Sequence, residues 1–399
     1  MTTSDLSLRS TPRLAARSFV IDSPVELLDH YSPDGFAWLD GNHGFVTSGI
    51  AALVAPEDAR TFLATISHSA DRAVSDAAGP RAAGALPFTG SGDLVVPALI
   101  VGRDAHGAAW RTVIEDQNAD AHTDAPASPS RTCAGDAPSE FHVSGPTTHA
   151  QWREMVQRSI GDIDRGHLEK IVLARAVHVD ANRPYDVPGV LAHLLRSQPG
   201  CVVYADRGFV GASPELLVRK IGAAVTSRPL AGTSVDTAAL VRSSKDAHEH
   251  RFVVDAVVDA LRMLCSDVRA DGPAALELAD ISHLATTITA RTDASDTSVA
   301  DLVALLHPTP AVAGTPRRAA VDTIATREPV DRGRYAGPCG WIDGNGDGEF
   351  VVALRGGEIN GRHAVIHAGA GIVRGSDPDA EWVETQQKLM PMLQALVRP

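Results

Sequence analysis

The last quarter of the chain, residues 328–393, constrains the fold more than any other stretch. Two apolar runs with strand character lead into the glycine-rich sequence HAGAGIVRGSDP, and a helical pattern follows. Asp377 suits the N-cap of that helix, Pro378 its first position, and Asp379 the positive end of the helix dipole. The stretch therefore predicts two strands, a glycine-rich turn and a helix that begins at Asp377.

The same predicted helix carries an acidic and basic face. Glu381, Glu384 and Lys388 are three and four residues apart, so two carboxylates and an ammonium group share one side. Three small residues lie just upstream of the helix: Gly369, Ala370 and Gly371. Their backbone N–H groups can come close to whatever the carboxylates face. This arrangement predicts a site for an anionic ligand bridged by a metal ion.

Composition limits the partners of this chain. It has 399 residues, of which 44% are hydrophobic, so it can bury a large core. Its formal net charge of −13 argues against nucleic acid or an anionic membrane as a partner. An anionic substrate would need locally placed cations or a metal ion. No coiled coil or long apolar edge argues for a dimer, so we expect a monomer.

The cysteines and the absence of apolar segments predict the compartment. The four cysteines are far apart in the sequence and form no paired motif: Cys133, Cys201, Cys265 and Cys339. This spacing fits a reducing compartment, with neither a disulfide framework nor a zinc site. The first residues contain no apolar signal region, and no run of about eighteen apolar residues occurs. We therefore expect a soluble cytoplasmic protein.

The chain divides into three parts by composition. Residues 1–114 alternate strand-like runs with turns, most clearly in FAWLDGNHGFVTSGIAALV. Residues 115–140 are rich in Asp, Ala, Ser and Pro and predict a mobile loop. Residues 141–399 would form the remaining core, beginning with a helix over 148–167.

Two ionisable residues stand beside apolar strand patterns. Lys170 opens the apolar run in HLEKIVLARAVHVD, and Glu215 follows Ser-Pro in GASPELLVRK. Lys170 either extends to solvent or is partly desolvated, with a lowered pKa that suits a base. Glu215 is either a carboxylate in water or a general acid whose pKa burial raises.

A long helix is predicted over residues 243–265. Its apolar stripe consists of Phe252, Val253, Ala256, Val257, Ala260, Leu261 and Leu264. Continued backwards, the stripe reaches Glu249 and then Asp246, so both carboxylates should point inward, where a hard metal ion could compensate them. The neighbouring His248 and His250 lack the i, i+4 spacing of a zinc helix, which disfavours zinc.

One resemblance to a calcium loop is misleading. Asp343, Asn345 and Asp347 copy the first half of an EF-hand loop, but the twelfth position is Leu354 instead of glutamate. The flanking residues have strand character, so this segment predicts a hairpin turn.

Taken together, the motifs resemble one enzyme family. In order, they are KIVLARA, GASPELLVRK, RPLAGT, KDAHEHRFVV, HPTPAVAG, DRGRYAGPCGWID, VALR, HAGAGIVRGSDP and EWVETQQK. They resemble the chorismate-utilising enzymes, which include isochorismate, anthranilate, aminodeoxychorismate and salicylate synthases. The resemblance is dense over 165–395 and looser over 1–110. It implies an α/β (α+β) fold: one interlocked domain of large, mostly antiparallel sheets packed face to face, with helices outside.

The resemblance also implies the substrate, the metal ion and the catalytic pair. The substrate would be chorismate, and Mg²⁺ would be held between helix carboxylates and a substrate carboxylate. Four residues are implied for the metal: Glu249 and Glu384 as ligands, with Asp246 and Glu381 close by or acting through water. Lys170 would activate water at C2, and Glu215 would protonate the departing C4 hydroxyl.

The substrate-binding residues carry over in the same way. The resemblance implies Gly232, Thr233, His307, Ala311, Tyr335, Arg355, Gly369, Ala370, Gly371 and Lys388. Backbone N–H groups of the glycine segments, with the tyrosine and the cations, would hold the two carboxylates of chorismate. These cations also explain how a chain of charge −13 could bind a dianion.

Two positions favour one activity within the family. The ammonia-using anthranilate synthases generally lack a lysine where Lys170 stands, which favours water as the nucleophile. Ala311 stands where salicylate and anthranilate synthases usually carry threonine. The sequence thus predicts an isomerase, isochorismate synthase, whose product would feed siderophore, menaquinone or salicylate biosynthesis. The alternatives are a salicylate synthase and a chorismate-binding protein without catalysis, although intact Lys170 and Glu215 argue against the latter.

Overall fold

A computed structural model describes residues 13–22, 25–117, 137–279, 281–292 and 296–399. Most of the loop predicted over 115–140 lies outside the described residues, and so does Cys133. Within the described ranges, no helix is long and apolar enough to cross a membrane.

Eight α-helices and one short 3-10 helix form within these residues. The 3-10 helix spans Leu27–His30. The α-helices are α1 (Pro56–Ala64), α2 (His149–Asp164), α3 (Val187–Ser197), α4 (Thr237–Arg242), α5 (Ser244–Leu261), α6 (Val299–Leu306), α7 (Arg317–Arg327) and α8 (Pro378–Val397).

The same part of the chain forms 23 strands. They are β1 (Leu14–Ile21), β2 (Phe36–Asp40), β3 (His43–Val54), β4 (Ser67–Ala70), β5 (Arg81–Ala85), β6 (Leu94–Arg103), β7 (Ala109–Asp116), β8 (Phe141–Ser144), β9 (Lys170–Ala181), β10 (Val202–Asp206), β11 (Phe209–Ser213), β12 (Leu216–Ile221), β13 (Ala224–Arg228), β14 (Leu230–Ser234), β15 (Cys265–Ala270), β16 (Ala274–Glu277), β17 (Ser282–Ala285), β18 (Ile288–Thr292), β19 (Gly314–Thr315), β20 (Pro338–Asp343), β21 (Gly348–Val352), β22 (Gly356–Asn360) and β23 (His363–Ile372).

Twenty of these strands belong to one continuous, branched sheet. One branch follows the order β4-β1-β7-β6-β3-β2-β10-β11-β22-β23-β9-β8, with β19 added to β9. The second branch leaves β6 in the order β5-β20-β21-β12-β13-β18-β15. The pairs are antiparallel except for β1 and β4, which run parallel. Strands from both ends of the sequence are therefore interleaved, which confirms the predicted single interlocked domain.

Two apolar cores fix the layers. The larger core contains side chains from both branches, such as Phe45 of β3 and Phe350 of β21, so the two branches face each other across it. The second core lies between the outer face of the first branch and helices α3 and α8, where Leu191 and Met392 are buried. Successive side chains of β2 point to opposite faces of the sheet, so Trp38 packs in the first core and Leu39 in the second. The predicted face-to-face sheets with outer helices are confirmed.

Local sequence predicted many of these elements correctly. Helix α2 begins after Thr148, whose side chain and Gln151 form a reciprocal capping box. Asp377 caps α8 by accepting hydrogen bonds from the two backbone N–H groups at 379 and 380. The suspected calcium loop is the connection of a hairpin, since β20 and β21 pair on either side of it.

Helix α5 differs from its prediction in two respects. Ser243 is its N-cap, so the helix proper begins at Ser244, and it ends at Leu261, because the chain from Cys265 onward pairs with β18 as a strand. Leu264 is therefore exposed instead of continuing the apolar stripe. The buried positions of the helix are His250, Val253, Val257 and Leu261.

The glycine-rich segment before α8 was predicted as a turn, and this prediction is wrong. Residues 369–371 lie inside β23, where Gly369 is opposite Ala174 and Gly371 is opposite Val172. The long antiparallel pairing with β9 keeps them extended. The turn comes later, between Ile372 and Pro378.

Candidate active site

A cavity with about 700 Å³ of atom-free space lies where β9, β14, β23, α5 and α8 meet. The small sheet β14-β17-β16 forms one wall of it, and α5 packs on β14. Its lining residues are Val172, Pro214, Glu215, Leu230, Ala231, Gly232, Thr233, Glu249, His283, Ala311, Val312, Leu354, Arg355, His367, Ala368, Gly369, Gly371, Glu384 and Lys388. The cavity thus gathers residues from positions 172 to 388.

Lys170 is buried at the inner end of β9, with only 1% of its surface exposed. Its Nζ lies 3.0 Å from Oε1 of Glu249, which projects from the inward face of α5. The solvent-exposed alternative for this lysine is therefore wrong. Lys170 does not line the cavity itself, but it lies directly behind Glu249, which does.

Gly371 makes room for this ion pair. A Cβ atom at position 371 would lie 2.3 Å from Oε1 of Glu249 and 3.3 Å from Cε of Lys170. Only a residue without a side chain lets the carboxylate reach this place. The sequence had suggested that the glycine exposes backbone N–H groups, whereas its contribution in the structure is space.

Glu215 lies between β11 and β12 and is 3% exposed. Burial raises its pKa to about 7, although a hydrogen bond from the Leu230 backbone N–H and the charges of Lys170 and Lys388 act in the opposite direction. The prediction of a buried carboxyl group with a raised pKa is confirmed. Near neutral pH this group can donate a proton.

The predicted charged face of α8 also forms. Lys388 Nζ contacts Glu384 Oε1 at 2.6 Å and donates a hydrogen bond to the Gly369 carbonyl at 3.1 Å. Burial alone would lower the pKa of Lys388, but the charge and hydrogen bond of Glu384 raise it, so the ammonium form persists.

Glu381 lies two helical turns before Lys388 on the same helix, where its side chain is 4% exposed. Burial and the neighbouring charge of Glu384 raise its pKa to about 7, against the attraction of Lys245 at 3.2 Å. Asp246 lies across from it on α5, directly against Gly232, where an added Cβ would come within 2.9 Å of the Asp246 Cβ. Two helices therefore bring four carboxylates toward one region.

These carboxylates fit a magnesium ion. The donors are all oxygen atoms, which Mg²⁺ prefers, and a cation would relieve the like-charge interaction that raises the pKa of Glu381. The described residues contain no group of three or more His, Cys, Asp or Glu side chains already arranged around one point. Mg²⁺ generally needs only one or two protein carboxylates, with water and substrate as its other ligands. Glu249 and Glu384, which both line the cavity, are the residues that would hold it.

The nearby histidines of α5 are not arranged for zinc. His250 is buried and shares a hydrogen bond of 2.7 Å with Thr286 Oγ1. Burial, and then the charge of Lys170, lower its pKa to about 4, so it is neutral at physiological pH. His248 lies on the outer side, against the ring of Phe252.

Arg355 is a further cation at the cavity. It is buried, and its backbone φ of +49° lies in the left-handed region. Nη2 donates to Nε2 of His283 at 3.0 Å, and Nη1 donates to Oε1 of Gln198 at 3.0 Å. Because Nε2 of His283 accepts, the proton of that ring is on Nδ1, which lies 3.1 Å from the Gly232 carbonyl. Burial, together with the charges of Arg355 and Lys388, lowers the pKa of His283 well below its usual value, so the ring stays neutral.

Ten of the sixteen predicted site residues line the cavity, and six do not: Lys170, Asp246 and Glu381, described above, and Ala370, Tyr335 and His307. Ala370 points to the opposite face of β23 and packs in the larger core. Tyr335 stacks on the ring of His367, which itself faces the cavity. His307 is held by a hydrogen bond of 2.9 Å to the Phe88 carbonyl, outside the lining.

Sequence reasoning missed two polar cavity residues, His283 and His367. Each lies in a strand among mostly apolar or small residues, a pattern that is usually structural. His367 is two residues before Gly369, the first of the small residues singled out in the sequence, and burial lowers its pKa to about 4. No local signal distinguishes either of them, because only the pairing of distant strands brings them to the cavity.

Comparison with known proteins agrees with this geometry. Residues 94–397 match the profile of the family described as chorismate binding enzyme. The isochorismate synthase DhbC of Bacillus subtilis is 32% identical over 399 aligned residues, covering 93% of this chain and 95% of that protein. A salicylate biosynthesis isochorismate synthase of Pseudomonas aeruginosa is 37% identical over 286 residues, covering 65% and 59% of the two chains. The solved structure of MenF, the menaquinone-specific isochorismate synthase of Escherichia coli, superposes with a TM-score of 0.84 at 26% identity, covering 97% and 95%.

Proposed function

Because the chain belongs to the family of chorismate-binding enzymes, we propose that it is an isochorismate synthase, an isomerase that converts chorismate to isochorismate. One observation carries the proposal. A protonatable buried carboxyl group, Glu215, lines one cavity together with the carboxylates of Glu249 and Glu384, and a buried lysine, Lys170, lies directly behind Glu249. A protein that only bound its ligand would have no use for this acid and base pair.

The proposed reaction needs a proton acceptor and a proton donor. Water adds its oxygen at C2 of the ring, the double bonds shift, and the C4 hydroxyl departs. Lys170 accepts a proton from the attacking water, and Glu215 gives a proton to the departing hydroxyl, which leaves as water. One water is consumed and one is released, and the two residues return to their starting protonation states by proton exchange. The pKa of about 7 for Glu215 supports the donor role.

The charges around the cavity support a role for Mg²⁺. Four carboxylates of α5 and α8 lie near four cations of this region, which are Lys170, Lys245, Arg355 and Lys388. The charges of these carboxylates and cations nearly balance, and a dianionic substrate would add two negative charges. Mg²⁺, when bound, would supply two positive charges and polarise a substrate carboxylate. Glu249 and Glu384 would hold it, while Arg355 and Lys388 would orient the substrate.

The product that leaves the site depends on Ala311. This residue lines the cavity with a methyl group, which neither donates a hydrogen bond nor crowds the ring. Elimination of pyruvate requires the C2 hydrogen to move onto the enolpyruvyl side chain, and this step depends on how that side chain is held. We therefore expect release of isochorismate with little pyruvate.

Product analysis tests the proposal directly. The protein is incubated with chorismate and Mg²⁺, chorismate with Mg²⁺ alone serves as the control, and the products are separated by chromatography. Isochorismate without stoichiometric pyruvate is the expected result. Salicylate with an equal amount of pyruvate would support a salicylate synthase instead, and saturable binding without any product would support a binding protein.

The wider setting also remains a proposal. The names of the relatives include a salicylate biosynthesis isochorismate synthase and a menaquinone-specific isochorismate synthase, so salicylate and menaquinone biosynthesis are candidate destinations for isochorismate. Siderophore biosynthesis stays a prediction from the sequence. A cytoplasmic monomer stays a prediction from the sequence. Light scattering at several protein concentrations would test the monomer.

A further inference from the structure

One edge of β9 lacks a neighbouring strand over residues 172–177. Along its other edge, β9 pairs with β23 without interruption from Ile171 to Asp180. On the edge in question, β19 pairs only at Lys170 and Ile171, and β8 only from His178 onward. No further strand of the described ranges pairs with β9 between them. The backbone groups that point to this edge therefore need other partners.

Two charged side chains from the segment after α7 take the place of the missing strand. Glu328 Oε1 accepts a hydrogen bond from the Ala174 N–H at 2.7 Å. Arg332 Nη2 donates to the Val172 carbonyl at 2.9 Å. Val172 and Ala174 are alternate residues of the strand, so both present their backbone groups to the same edge. The two side chains thus supply the acceptor and the donor that a neighbouring strand would supply.

The same guanidinium also reaches a second segment of the cavity wall. Arg332 Nη1 donates to the Val312 carbonyl at 2.7 Å, and the Val172 N–H donates to the Ala313 carbonyl at 2.8 Å. Val172 and Val312 both line the cavity, and so does Ala311, the residue before Val312. One planar group therefore joins two cavity-lining segments, with one nitrogen for each carbonyl.

Glu328 fixes the direction of this guanidinium. Its Oε2 accepts from Nε of Arg332 at 2.9 Å and its Oε1 accepts from Nη2 at 2.6 Å, which is a bidentate contact. The side chains of Arg332 and Glu328 are 3% and 4% exposed. A buried ion pair loses about as much free energy on leaving water as it gains by attraction, so stability alone does not account for it. What the pair supplies here is a defined geometry at the cavity wall.

We propose that Arg332, directed by Glu328, is a positioning residue for chorismate binding, because it fixes Val312 relative to Val172 at the cavity wall. The inference rests on the proposed function for the identity of the ligand. Arg332 itself does not line the cavity, so it acts on a ligand through these two residues. A lysine at this position would keep the charge beside Glu328, but an ammonium group cannot offer forked donors to both carbonyls in the same geometry.

The first test measures steady-state kinetics on chorismate for Arg332→Lys. We expect KM to rise roughly 10- to 100-fold, the range for losing a hydrogen bond to a charged group. The fall in kcat should be smaller than the rise in KM, because the contact between Lys170 and Glu249 is untouched. A KM within about twofold of the unmodified enzyme would overturn the proposal.

Arg327→Lys is the matched control. The guanidinium of Arg327 also spans two partners, Ser159 and Asp162 of α2, each at 2.8 Å. None of these three residues lines the cavity, so this substitution removes a forked contact that stabilises only the fold. It should leave KM and kcat within about twofold of the unmodified enzyme. Equal rises in KM in Arg327→Lys and Arg332→Lys would show a general structural effect and overturn the proposal.

Hydrogen exchange followed by mass spectrometry reports the state of β9 without any activity. Peptides that contain Val172 and Ala174 should exchange faster in Arg332→Lys than in the unmodified protein, and unchanged in Arg327→Lys. Exchange of these peptides at the unmodified rate in Arg332→Lys would count against the proposal.

A second background tests whether the arginine acts through the cavity wall. In Val312→Ala the side chain that the arginine places is truncated, so adding Arg332→Lys should raise KM by a factor at least about twofold smaller than in the unmodified enzyme. An equal fold-change in both backgrounds would overturn the proposal. If Arg332→Lys does not fold, Glu328→Gln decides, because it removes one of the two oxygens that direct the guanidinium. A KM within about twofold of the unmodified enzyme in that variant overturns the proposal.

Calorimetric titration keeps the test independent of the proposed reaction. Chorismate binding is measured in the Lys170→Ala background, where turnover should stop, with and without Arg332→Lys. Weaker binding supports the positioning role even if the unmodified chain yields a product other than isochorismate, and equal binding counts against it.

Discussion

Replacing Gly371 with alanine should inactivate the enzyme without unfolding it. The added Cβ would lie 2.3 Å from Oε1 of Glu249, and an ordinary van der Waals separation begins near 3.4 Å. The carboxylate oxygen must therefore move by about 1 Å. The obstructing atom is at the end of a side chain, and Gly371 has ordinary strand geometry in β23, so the backbone can stay in place.

The size of the effect follows from this displacement. A shift of about 1 Å in a group that positions the reactants can cost about 100-fold in rate. We therefore expect kcat/KM for isochorismate formation to fall roughly 100-fold, with a higher Mg²⁺ concentration needed for half-maximal activity. The free energy of unfolding should change by less than about 2 kcal/mol, because no backbone contact is lost.

The assay combines initial rates across a Mg²⁺ titration with urea unfolding followed by circular dichroism. Gly145→Ala is the matched control, because its Cβ would meet nothing closer than 3.7 Å. In the Glu249→Asp background the side chain is one methylene shorter, so the added Cβ no longer displaces the carboxylate. Gly371→Ala should therefore lower kcat/KM much less in that background. If Gly371→Ala had the same kcat/KM and the same Mg²⁺ dependence as the wild-type enzyme, the reasoning would be refuted.

Four other predictions follow from the same cavity. Glu249→Ala and Glu384→Ala should each abolish turnover while preserving the circular dichroism spectrum, and undiminished wild-type activity in excess chelator would discard the magnesium site. Lys170→Ala should bind chorismate yet make no isochorismate; a rate above roughly one hundredth of the wild type would contradict its role as a base. Burial raises the pKa of Glu215 from 4.5 to about 7, so the folded state binds this proton more tightly and loses stability as pH rises through that range. Between pH 4.5 and 8, the free energy of unfolding of Glu215→Gln, measured by urea titration, should thus rise by roughly 3 kcal/mol relative to that of the wild type. The same pH dependence in both proteins would contradict the raised pKa. Ala311→Thr should divert part of the flux to pyruvate, measured with lactate dehydrogenase, whereas stoichiometric pyruvate from the unmodified enzyme would favour a salicylate synthase.

Local sequence determined the elements whose signals lie within a few residues. Asp377 and Pro378 mark the start of α8 because a helix N-terminus needs a capping acceptor and tolerates proline. Helical spacing alone placed Glu249 on the buried side of α5, and Leu354 at the twelfth position excluded an EF-hand loop. These inferences hold because the interactions concerned span one or two turns of chain.

Tertiary structure decided the features that depend on distant partners. The glycines at 369 and 371 were expected in a turn, but their pairing with β9, nearly two hundred residues earlier, makes them part of a strand. The same pairing places Gly371 against Glu249, so its absent side chain provides space for a carboxylate. His283 and Gln198 meet Arg355 only after β17, α3 and the β21–β22 connection have come together. Long-range strand pairing fixes these contacts, and no short window of sequence contains both partners.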